Sequence, residues 1–319
     1  MPASADPVLV EIVRNGFVEG EHRGRLVLLD PDGSVRLSVG EIRRPILPRS
    51  SNKPMQAVGL LDAGCTLRGE SLALAAASHA GEPFHVEATR KILLDVGLDE
   101  SVLQTPPALP ADEPSALAHQ CAGGRAQRIF SDCSGKHAAM LQVCVRNGWD
   151  VPSYLDPGHP VQQVIRQAVE RLSGEPIAAE AVDGCGAPLL GISLLGLARA
   201  LHTCVRAEPG SHPRLVADAM RTHPEYVAGT RAVDTRAMRA VPGLIAKTGA
   251  EAVHVAALPD GRTLAFKISD GSRRAVPVVL AEALRQLGVR SQPLDRLGAV
   301  ALTGGGVPVG ALSAAFGSD

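Results

Sequence analysis

The chain has 319 residues, of which 45% are hydrophobic and 20% are charged, and its formal net charge is −1. This profile is typical of a globular protein with a large core, and the charges are too scattered for a nucleic-acid or membrane surface. No run of about 18 apolar residues and no basic, apolar leader occurs, so we expect a cytoplasmic protein without a membrane span. In a reducing compartment, the six cysteines should be free thiols or metal ligands.

The first predicted elements are short β-rich segments. Residues 8–15, 25–30 and 35–40 are rich in Val, Leu and Ile, and the turn sequence PDGS joins the last two. Segments of this length that are bounded by Gly, Pro and Asp are typical of β-strands. We therefore expect the N-terminal part of the chain to contribute strands to a sheet.

A helix is predicted after these strands, in the segment RSSNKPMQA. Pro54 is tolerated in the first turn of a helix and hardly anywhere later, so the helix should start near Ser51 and end before Gly64. Ser50 and Lys53 would then share one face at the helix start. Serine is a common helix cap, but a lysine three positions later is also the spacing of a serine nucleophile and its base. Both interpretations of Ser50 stay open on this segment alone.

The middle of the chain is predicted to be mostly helical, and β-rich segments return near its end. Helical periodicity followed by glycine marks the helices, a Pro-rich acidic stretch marks a loop, and a DG turn joins two late strands. A GGG sequence without the lysine of a phosphate loop is predicted to be a turn. These segments are the helices 86–97, 136–148, 161–174 and 276–288, the loop 105–115, the strands 252–259 and 263–271, and the turn 302–308.

This order of elements predicts a mixed α/β fold. Strands occur first and last with helices between them, so one sheet should be completed by both chain ends and should carry a helical insertion. We expect a single domain over residues 1–319. Its sheet should be built from about 8–45 and 245–310, and its helical part should span about 50–240.

Two more short motifs bear on Ser50. Ser78 lies in ASHAGEP, where turn residues follow a run of small residues, and Lys247 lies in AKTGA at the start of a β-rich run. Each motif alone is common. In chain order, however, S-x-x-K, a second serine and K-T-G form the set that is found in penicillin-recognising serine enzymes. The complete set favours a nucleophilic serine over a helix cap.

A second group of candidate residues lies in two Gly-containing loops. Cys133 and Lys136 occur in FSDCSGKHAAM, and Cys185 occurs in VDGCGAP. Two thiolates suit zinc, but four Cys or His ligands are usual, and a lysine has to lose its proton before it binds a metal. From the residues alone, buried free cysteines and a zinc site both remain open.

The chain resembles the L-asparaginase II family of the thermolabile rhizobial type in six ordered motifs: RSSNKPMQA, ASHAGEP, CSGKHAAM, DGCGAP, HPEYVAG and AKTGAEA. The resemblance extends over about residues 8–310. It implies a fold like that of the serine β-lactamases, with helices on the faces of an antiparallel sheet, and hydrolysis of L-asparagine to aspartate and ammonia. A homodimer is expected on the same ground.

The resemblance also implies roles for particular residues. It places two Ser–Lys tandems and a zinc site in the chain, and the zinc ion would organise the substrate pocket without being required for the chemical step. K-T-G stands where the family often has K-x-G, which leaves substrate preference open. The residues concerned are the tandems Ser50–Lys53 and Ser78–Lys247, the zinc ligands Cys133, Lys136 and Cys185, and the predicted substrate-binding residues Arg49 and Asp183.

The expected reaction is acyl transfer. If Lys247 lies within about 5 Å of Lys53, their repulsion at an effective dielectric constant near 20 is about 3 kcal/mol, which favours one neutral lysine as a base. Ser50 would attack the side-chain amide, ammonia would leave, and water would hydrolyse the β-aspartyl ester. Ser78 would relay a proton, and backbone N–H groups near the helix start would bind the oxyanion.

Three alternatives remain. The same scaffold could serve another serine amide or ester hydrolase of the β-lactamase-like type. A nucleophilic Cys133 or Cys185 would make the chain a cysteine hydrolase, and a zinc-dependent binding module would catalyse nothing. Ammonia release from asparagine, glutamine and small amides separates the asparaginase interpretation from the other serine hydrolase and from the binding module. For the cysteine hydrolase, alkylation by iodoacetamide would have to abolish turnover.

Overall fold

The computed structural model describes residues 6–317. In this part of the chain, strands form one large and one small sheet. In chain order, the strands are β1 (Val8–Arg14), β2 (Phe17–Leu29), β3 (Val35–Val39), β4 (Pro45–Ile46), β5 (Ala179–Val182), β6 (Pro188–Ser193), β7 (Ile245–Gly249), β8 (Val253–Ala257), β9 (Thr263–Ile268), β10 (Ala301–Gly304) and β11 (Val307–Ala314).

Most of the helices lie between the N-terminal and the C-terminal strands. Short 3-10 helices precede or connect several of them, and the one that carries Ser50 is Arg49–Asn52. In chain order, the α-helices are α1 (Lys53–Asp62), α2 (Gly69–Ala75), α3 (Pro83–Leu94), α4 (Glu113–Cys121), α5 (Ser134–Asn147), α6 (Pro160–Ser173), α7 (Leu194–Arg206), α8 (His212–Thr222), α9 (Pro224–Ala228), α10 (Val233–Ala240), α11 (Val276–Gln286) and α12 (Gln292–Gly298).

The large sheet is antiparallel, and both ends of the chain contribute to it. Its main path runs β10-β11-β1-β2-β9-β8-β7, and β3 pairs with β2 off this path. The strands β1–β3 come from the N-terminal part and β7–β11 from the C-terminal part, with α1–α10 between them in the chain. The predicted mixed α/β architecture, with one antiparallel sheet built from both chain ends and a helical insertion, is confirmed.

The predicted hairpins are confirmed, but β2 is longer than predicted. PDGS joins β2 to β3, the DG turn joins β8 to β9, and the GGG sequence lies in the turn from β10 to β11. The sequence predicts only residues 25–30, whereas β2 starts at Phe17. Its first half is largely exposed. A strand without a buried face lacks the apolar pattern by which strands are recognised.

The second sheet, with the strand order β4-β6-β5, has no sequence signal. β4 has only two residues, and three of the four residues of β5 are exposed. Neither strand is long or alternating enough to be predicted. The turn between β5 and β6 of this small sheet carries Cys185, one of the predicted zinc ligands.

The predicted helices 86–97, 136–148, 161–174 and 276–288 correspond to α3, α5, α6 and α11. The predicted loop 105–115 ends earlier than expected, because α4 starts at Glu113. No side chain of α4 is buried. Without an apolar face, a helix has no periodic pattern to reveal it, and the Pro-rich start of this segment favours a loop.

Helices lie on both faces of the large sheet. α7 packs on β2, β8 and β9, whereas α11 packs on β1, β9 and β11. α1 lies inside the helical part against α5, α6 and α8, and nine of its ten residues are buried. Tight packing on all sides gives the first turn of α1 a fixed position, which suits a functional site. Within residues 6–317, none of the helices is long and apolar enough to cross a membrane.

Candidate active site

Ser50 lies in a tight turn that leads directly into α1. The 3-10 helix Arg49–Asn52 precedes α1, and Pro54 occupies the first turn of α1, in agreement with the predicted helix start. Arg49 has a φ of 52°, a left-handed conformation that costs a residue with a side chain about 1–2 kcal/mol. Strain of this kind clusters at functional sites. The turn therefore presents Ser50, which is 9% exposed, from a rigid helix end.

Two buried lysines converge on the hydroxyl of Ser78. Lys53 Nζ donates to Ser78 Oγ at 2.9 Å and to the Ala77 carbonyl at 2.6 Å. Lys247 Nζ donates to Ser78 Oγ at 3.1 Å and to the Thr248 carbonyl at 2.7 Å. Neither lysine is more than 1% exposed. The structure thus brings three of the four predicted catalytic residues into direct contact.

The predicted tandem of Ser50 and Lys53 is not joined by a side-chain hydrogen bond. Within residues 6–317, the side-chain hydroxyl that the Lys53 ammonium contacts is that of Ser78. Ser50 and Lys53 do share one turn, since the Lys53 backbone N–H donates to the Ser50 carbonyl. Hydrogen bonds between catalytic groups often tighten only when the substrate is bound. The role of Ser50 therefore stays a prediction.

The surroundings of Lys247 favour its neutral form. Burial is the largest influence and lowers the pKa of Lys247, and the Lys53 ammonium lowers it as well, while the carboxylates of Asp234 and Asp132 raise it. The resulting pKa of Lys247 is about 8. A lysine with this pKa can accept a proton near neutral pH, as a general base must.

Gly249 of the K-T-G motif allows β7 to approach the Ser50 turn closely. A Cβ at position 249 would lie 2.6 Å from the Pro48 carbonyl oxygen and 3.1 Å from the Ser51 backbone nitrogen. The first distance is shorter than any real Cβ contact, so only glycine fits there without a backbone shift. The close approach also brings Lys247, two residues earlier on β7, to the start of α1.

Backbone and histidine hydrogen bonds fix the loop that carries Ser78. The His79 backbone N–H donates to the Asp132 carbonyl at 3.0 Å. At the His79 ring, Nδ1 accepts from the Gly81 N–H and Nε2 lies 2.8 Å from Ser134 Oγ. Burial lowers the pKa of His79 to about 3, so the ring is neutral. His79 supports the loop and is no candidate for a proton carrier.

The predicted zinc ligands lie together in a buried cluster. Cys133 and Lys136 are at the start of α5, and Cys185 is in the turn between β5 and β6. Both cysteines are 4% exposed, and Lys136 Nζ lies 3.3 Å from Cys185 Sγ. The hydrogen bond from Cys133 and the Lys136 ammonium hold the pKa of Cys185 far below its usual range, against the effect of burial. The Lys136 ammonium therefore favours the thiolate form of Cys185.

This donor set fits a zinc ion only with lysine as a ligand. Over the described range 6–317, no group of three or more His, Cys, Asp or Glu side chains could hold a metal ion. Cys133, Cys185 and Lys136 still offer two sulfurs and one nitrogen, which are donor atoms that zinc binds. Lys136 would first have to lose its proton, which the Cys185 thiolate disfavours by raising the pKa of Lys136 against the effect of burial. The residues fit a zinc site with three protein ligands, and zinc stays a prediction.

An ion pair joins the Ser50 turn to the Cys185 turn. Arg49 Nε donates to Asp183 Oδ1 at 2.7 Å, and the Gly184 N–H donates to the same oxygen at 2.8 Å. The Arg49 and Asp183 side chains are 25% and 11% exposed. The two predicted substrate-binding residues therefore contact one another at the rim of the serine–lysine cluster.

Two acidic residues of the site were missed by the sequence reasoning. The side chain of Asp132 is exposed, yet the ammonium groups of Lys53 and Lys247 lie near enough to hold the pKa of its carboxyl below the usual range, against the effect of desolvation. Asp234, in the first turn of α10, is 2% exposed and accepts hydrogen bonds from Thr248. Asp132 directly precedes a motif cysteine, which is a usable signal. Asp234 stands in no motif, and only the fold brings it to Lys247.

Comparison with known proteins agrees with this site. The model of one protein family matches residues 10–314, almost the whole chain. Together with two buried lysines around a serine, the match defines an amidohydrolase. The family is L-asparaginase II, and the chain belongs to it. The resemblance found in the sequence is thereby confirmed at the level of the family, whereas the rhizobial subtype stays a prediction.

Solved structures give distant likenesses, and no curated protein matches the chain. A β-lactamase from Mycobacterium bovis is 14% identical with a TM-score of 0.45, and the match covers 82% of this chain and 94% of that one. EstCE1, a hydrolase with promiscuous acyltransferase activity, is 11% identical with a TM-score of 0.44, covering 82% and 93%. A Bacillus glutaminase is 12% identical with a TM-score of 0.37, covering 83% and 89%.

The strain at residue 49 can be separated from its ion pair by two substitutions. Arg49→Gly and Arg49→Ala both remove the contact with Asp183, but only glycine adopts a φ of 52° without strain. We expect Arg49→Gly to be more stable than Arg49→Ala by about 0.5–1 kcal/mol, since the relief of strain exceeds the entropy that glycine gains in the unfolded chain. Equilibrium unfolding in urea measures the difference. Equal free energies of unfolding would show that the left-handed conformation carries no net cost.

Proposed function

We propose that the protein is an L-asparagine amidohydrolase that works through a Ser–Lys acyl-enzyme. The observation that carries this proposal is the Ser78 hydroxyl between Lys53 and Lys247, at 2.9 and 3.1 Å. Hydrolysis of an amide needs an activated nucleophile, and a serine beside a lysine of lowered pKa provides one. Membership of the L-asparaginase II family supports L-asparagine as the substrate. The same family resemblance is the ground on which we propose a homodimer, and a cytoplasmic location stays a prediction.

The proposed reaction starts with a proton relay through Ser78. The Ser78 proton moves to Lys247, whose pKa is about 8, and the Lys53 ammonium gives a proton to Ser78 in exchange. Lys53 is then a neutral amine, and it takes the proton of Ser50 while Ser50 Oγ attacks the amide carbon. Below the pKa of Lys247 the acceptor is already protonated, so the rate should fall as the pH drops below about 8.

The remaining steps return every group to its starting state. The C–N bond breaks, the leaving nitrogen takes the proton from Lys53, and ammonia departs. Water then attacks the β-aspartyl ester while the neutral Lys53 takes its proton and passes it to Ser50, and aspartate leaves. Lys247 finally gives its proton to Ser78, and the Ser78 proton returns to Lys53. The first N–H groups of α1 have no acceptor within the helix, and we assign the stabilisation of the oxyanion to them.

The substrate also carries a carboxylate and an ammonium group, and the site has a candidate for each. The planar guanidinium of Arg49 suits a carboxylate, and Asp183 orients it through the 2.7 Å contact. Asp132 supplies an exposed carboxylate near Lys53 and Lys247, where a second ammonium group would otherwise be repelled. We therefore assign the α-carboxylate to Arg49 and the α-ammonium to Asp132.

The zinc site belongs to the same proposal. Cys133, Lys136 and Cys185 would hold one zinc ion, which would supply a Lewis-acidic contact for a substrate oxygen. Because the Ser–Lys cluster needs no metal-bound hydroxide, the residues Cys133 and Cys185 would act on substrate binding. Lys136 has to bind as the neutral amine, so affinity for zinc should fall as the pH drops.

Ammonia release from a panel of amides tests the function. We expect L-asparagine to be hydrolysed faster than L-glutamine, and succinamic acid, which lacks the α-amino group, to be hydrolysed with a raised KM. If Asp132 binds the α-ammonium, Asp132→Asn raises the KM for asparagine and leaves that for succinamic acid unchanged. Turnover of nitrocefin without ammonia release from asparagine would instead identify another serine hydrolase and overturn the proposal.

Substitution of each serine tests the mechanism. Ser50→Ala should lower kcat to less than about a tenth, which corresponds to more than about 1.4 kcal/mol in the barrier, while the circular dichroism spectrum stays that of the folded protein. Lys53→Arg should be nearly as damaging, because arginine keeps its proton. Mass spectrometry of the trapped acyl-enzyme should find the adduct on Ser50. An adduct on Ser78, with an active Ser50→Ala, would exchange the roles of the two serines.

Metal analysis and chelation test the zinc site. Purified protein should contain one equivalent of zinc, and its removal should raise the KM for asparagine more than it lowers kcat. The double substitution of Cys133 and Cys185 to serine should reproduce this pattern, whereas Cys204→Ser, in a buried position on α7, serves as the control. A loss of kcat at constant KM would mean that the metal takes part in the chemical step. If the protein neither contains zinc nor responds to it, the zinc proposal is wrong and Cys133 and Cys185 are two buried thiols.

A further inference from the structure

A fully buried carboxylate lies behind the K-T-G strand and on the side away from the serines. Asp234 is 2% exposed, and three donors satisfy it. Its Oδ2 accepts from the Thr248 backbone N–H at 2.7 Å, and its Oδ1 accepts from Thr248 Oγ1 at 2.6 Å and from His254 Nε2 at 3.0 Å. These hydrogen bonds and the Lys247 ammonium hold the pKa of Asp234 well below its usual range, although burial opposes this. The carboxylate is therefore charged.

The strand pairing explains how these residues meet. Thr248 on β7 is directly opposite His254 on β8, so both side chains leave the same face of the sheet, and Lys247 leaves the other face. Asp234, from the first turn of α10, lies between Thr248 and His254. The His254 ring stacks on Phe266 with the ring centroids 5.2 Å apart. The carboxylate thus binds both N–H and hydroxyl of the residue that follows Lys247.

Thr248 passes this constraint to the catalytic cluster. Its carbonyl accepts a hydrogen bond from Lys247 Nζ at 2.7 Å, and the same ammonium donates to Ser78 Oγ at 3.1 Å. Asp234 therefore fixes Thr248, Thr248 fixes the end of the Lys247 side chain, and Lys247 contacts Ser78. A shift of residue 248 would move the Lys247 ammonium away from the hydroxyl.

Asp234 also acts on Lys247 electrostatically. Four charged or titratable groups face Lys247: the Lys53 ammonium from α1, Asp132 and Cys133 from the segment before α5, and Asp234 from α10. Asp234 is the strongest of those that favour the ammonium form. Loss of its negative charge would leave burial and the Lys53 ammonium to lower the pKa of Lys247 further.

We propose that Asp234 is a positioning residue for the reaction: it holds Lys247 against Ser78 through Thr248, and its charge balances the Lys247 ammonium. The inference rests on the proposed role of Lys247 in proton transfer. A buried carboxylate is costly to desolvate, so its place beside the strand that carries Lys247 calls for compensating interactions. The three hydrogen bonds and the positive charge of Lys247 together offset the cost of desolvating the Asp234 carboxylate.

A titration of Lys247 tests the charge directly, without any need for activity. The chain has five lysines, so selective 13C labelling of lysine gives five side-chain NMR signals, and Lys247→Met identifies the one from Lys247. In the unsubstituted protein its midpoint should be near 8. Asp234→Asn should lower the midpoint by about one pH unit or more, because a unit charge within about 12 Å shifts a pKa by at least about one unit at an effective dielectric constant near 20. Asp156→Asn, at an exposed position, should leave it unchanged.

Kinetics test the consequence for the reaction. In Asp234→Asn the acidic limb of the pH–rate profile should move to lower pH together with the Lys247 midpoint, and kcat should fall while the KM for asparagine stays constant. A folded Asp234→Asn protein with an unshifted Lys247 signal would overturn the inference, because a merely structural carboxylate changes stability without changing that titration. If the unsubstituted protein releases no ammonia from asparagine, the proposed function fails, and the NMR titration still decides the role of the Asp234 charge.

A milder substitution covers the case in which Asp234→Asn does not fold. Thr248→Val removes the 2.6 Å hydrogen bond to Asp234 and leaves the carboxylate in place. It should lower kcat severalfold and shift the Lys247 midpoint by much less than Asp234→Asn, and Thr248→Ser, which keeps the hydroxyl, should restore kcat. A Thr248→Val protein with the kcat of the unsubstituted protein would overturn the positioning role.

Discussion

The repulsion between two buried ammonium groups on one serine hydroxyl is the constraint on which the site depends. Lys53 Nζ and Lys247 Nζ both lie about 3 Å from Ser78 Oγ, and hence at most about 6 Å from one another. Two unit charges at that distance repel by about 3 kcal/mol at an effective dielectric constant near 20. The arrangement is stable only if negative groups compensate or if one lysine gives up its proton. The carboxylates of Asp132 and Asp234 do the first, and the lowered pKa of Lys247 shows the tendency to the second.

The choice of lysine supports a chemical role for these positions. Only five of the 32 basic residues, Lys and Arg together, are lysines, and three of the five are at most 1% exposed. Those three are Lys53, Lys136 and Lys247, and all lie in the two clusters of the site. Arginine forms surface ion pairs such as Arg14–Glu19 and Arg90–Glu100, for which a permanent charge is enough. A group that has to release a proton cannot be arginine, so lysine at the three buried positions suits the roles that we propose for them.

The sequence predicts what depends on local pattern. Pro54 sets the helix start, so the positions of Ser50 and Lys53 follow from a few adjacent residues. The β8–β9 hairpin follows from the DG turn, and a sheet completed by both chain ends follows from the order of the elements along the chain. The sequence does not reveal that Lys53 contacts Ser78, since this contact depends on how the loop after α2 packs against α1. Asp234 is 13 positions from Lys247 in the chain and has no motif, so only the packing of α10 on β7 reveals it.

Arg49, a residue in a strained backbone conformation, connects the Ser50 turn to the cluster of Cys133, Lys136 and Cys185. Arg49 is held in a left-handed conformation directly before Ser50, while its side chain binds Asp183 in the turn that carries Cys185. On the other side, Gly249 allows β7 to pack closely against the same turn. A Cβ at position 249 would lie only 2.6 Å from the Pro48 carbonyl oxygen. The position of Ser50 is therefore set jointly by the thiol cluster and by the K-T-G strand. A ligand at Cys133 and Cys185 would act on the Asp183 turn first. It would therefore affect Arg49, the proposed substrate-binding residue, before it affects Ser50, the proposed nucleophile. That order is why a ligand at Cys133 and Cys185 should change binding of the substrate more than the chemical step.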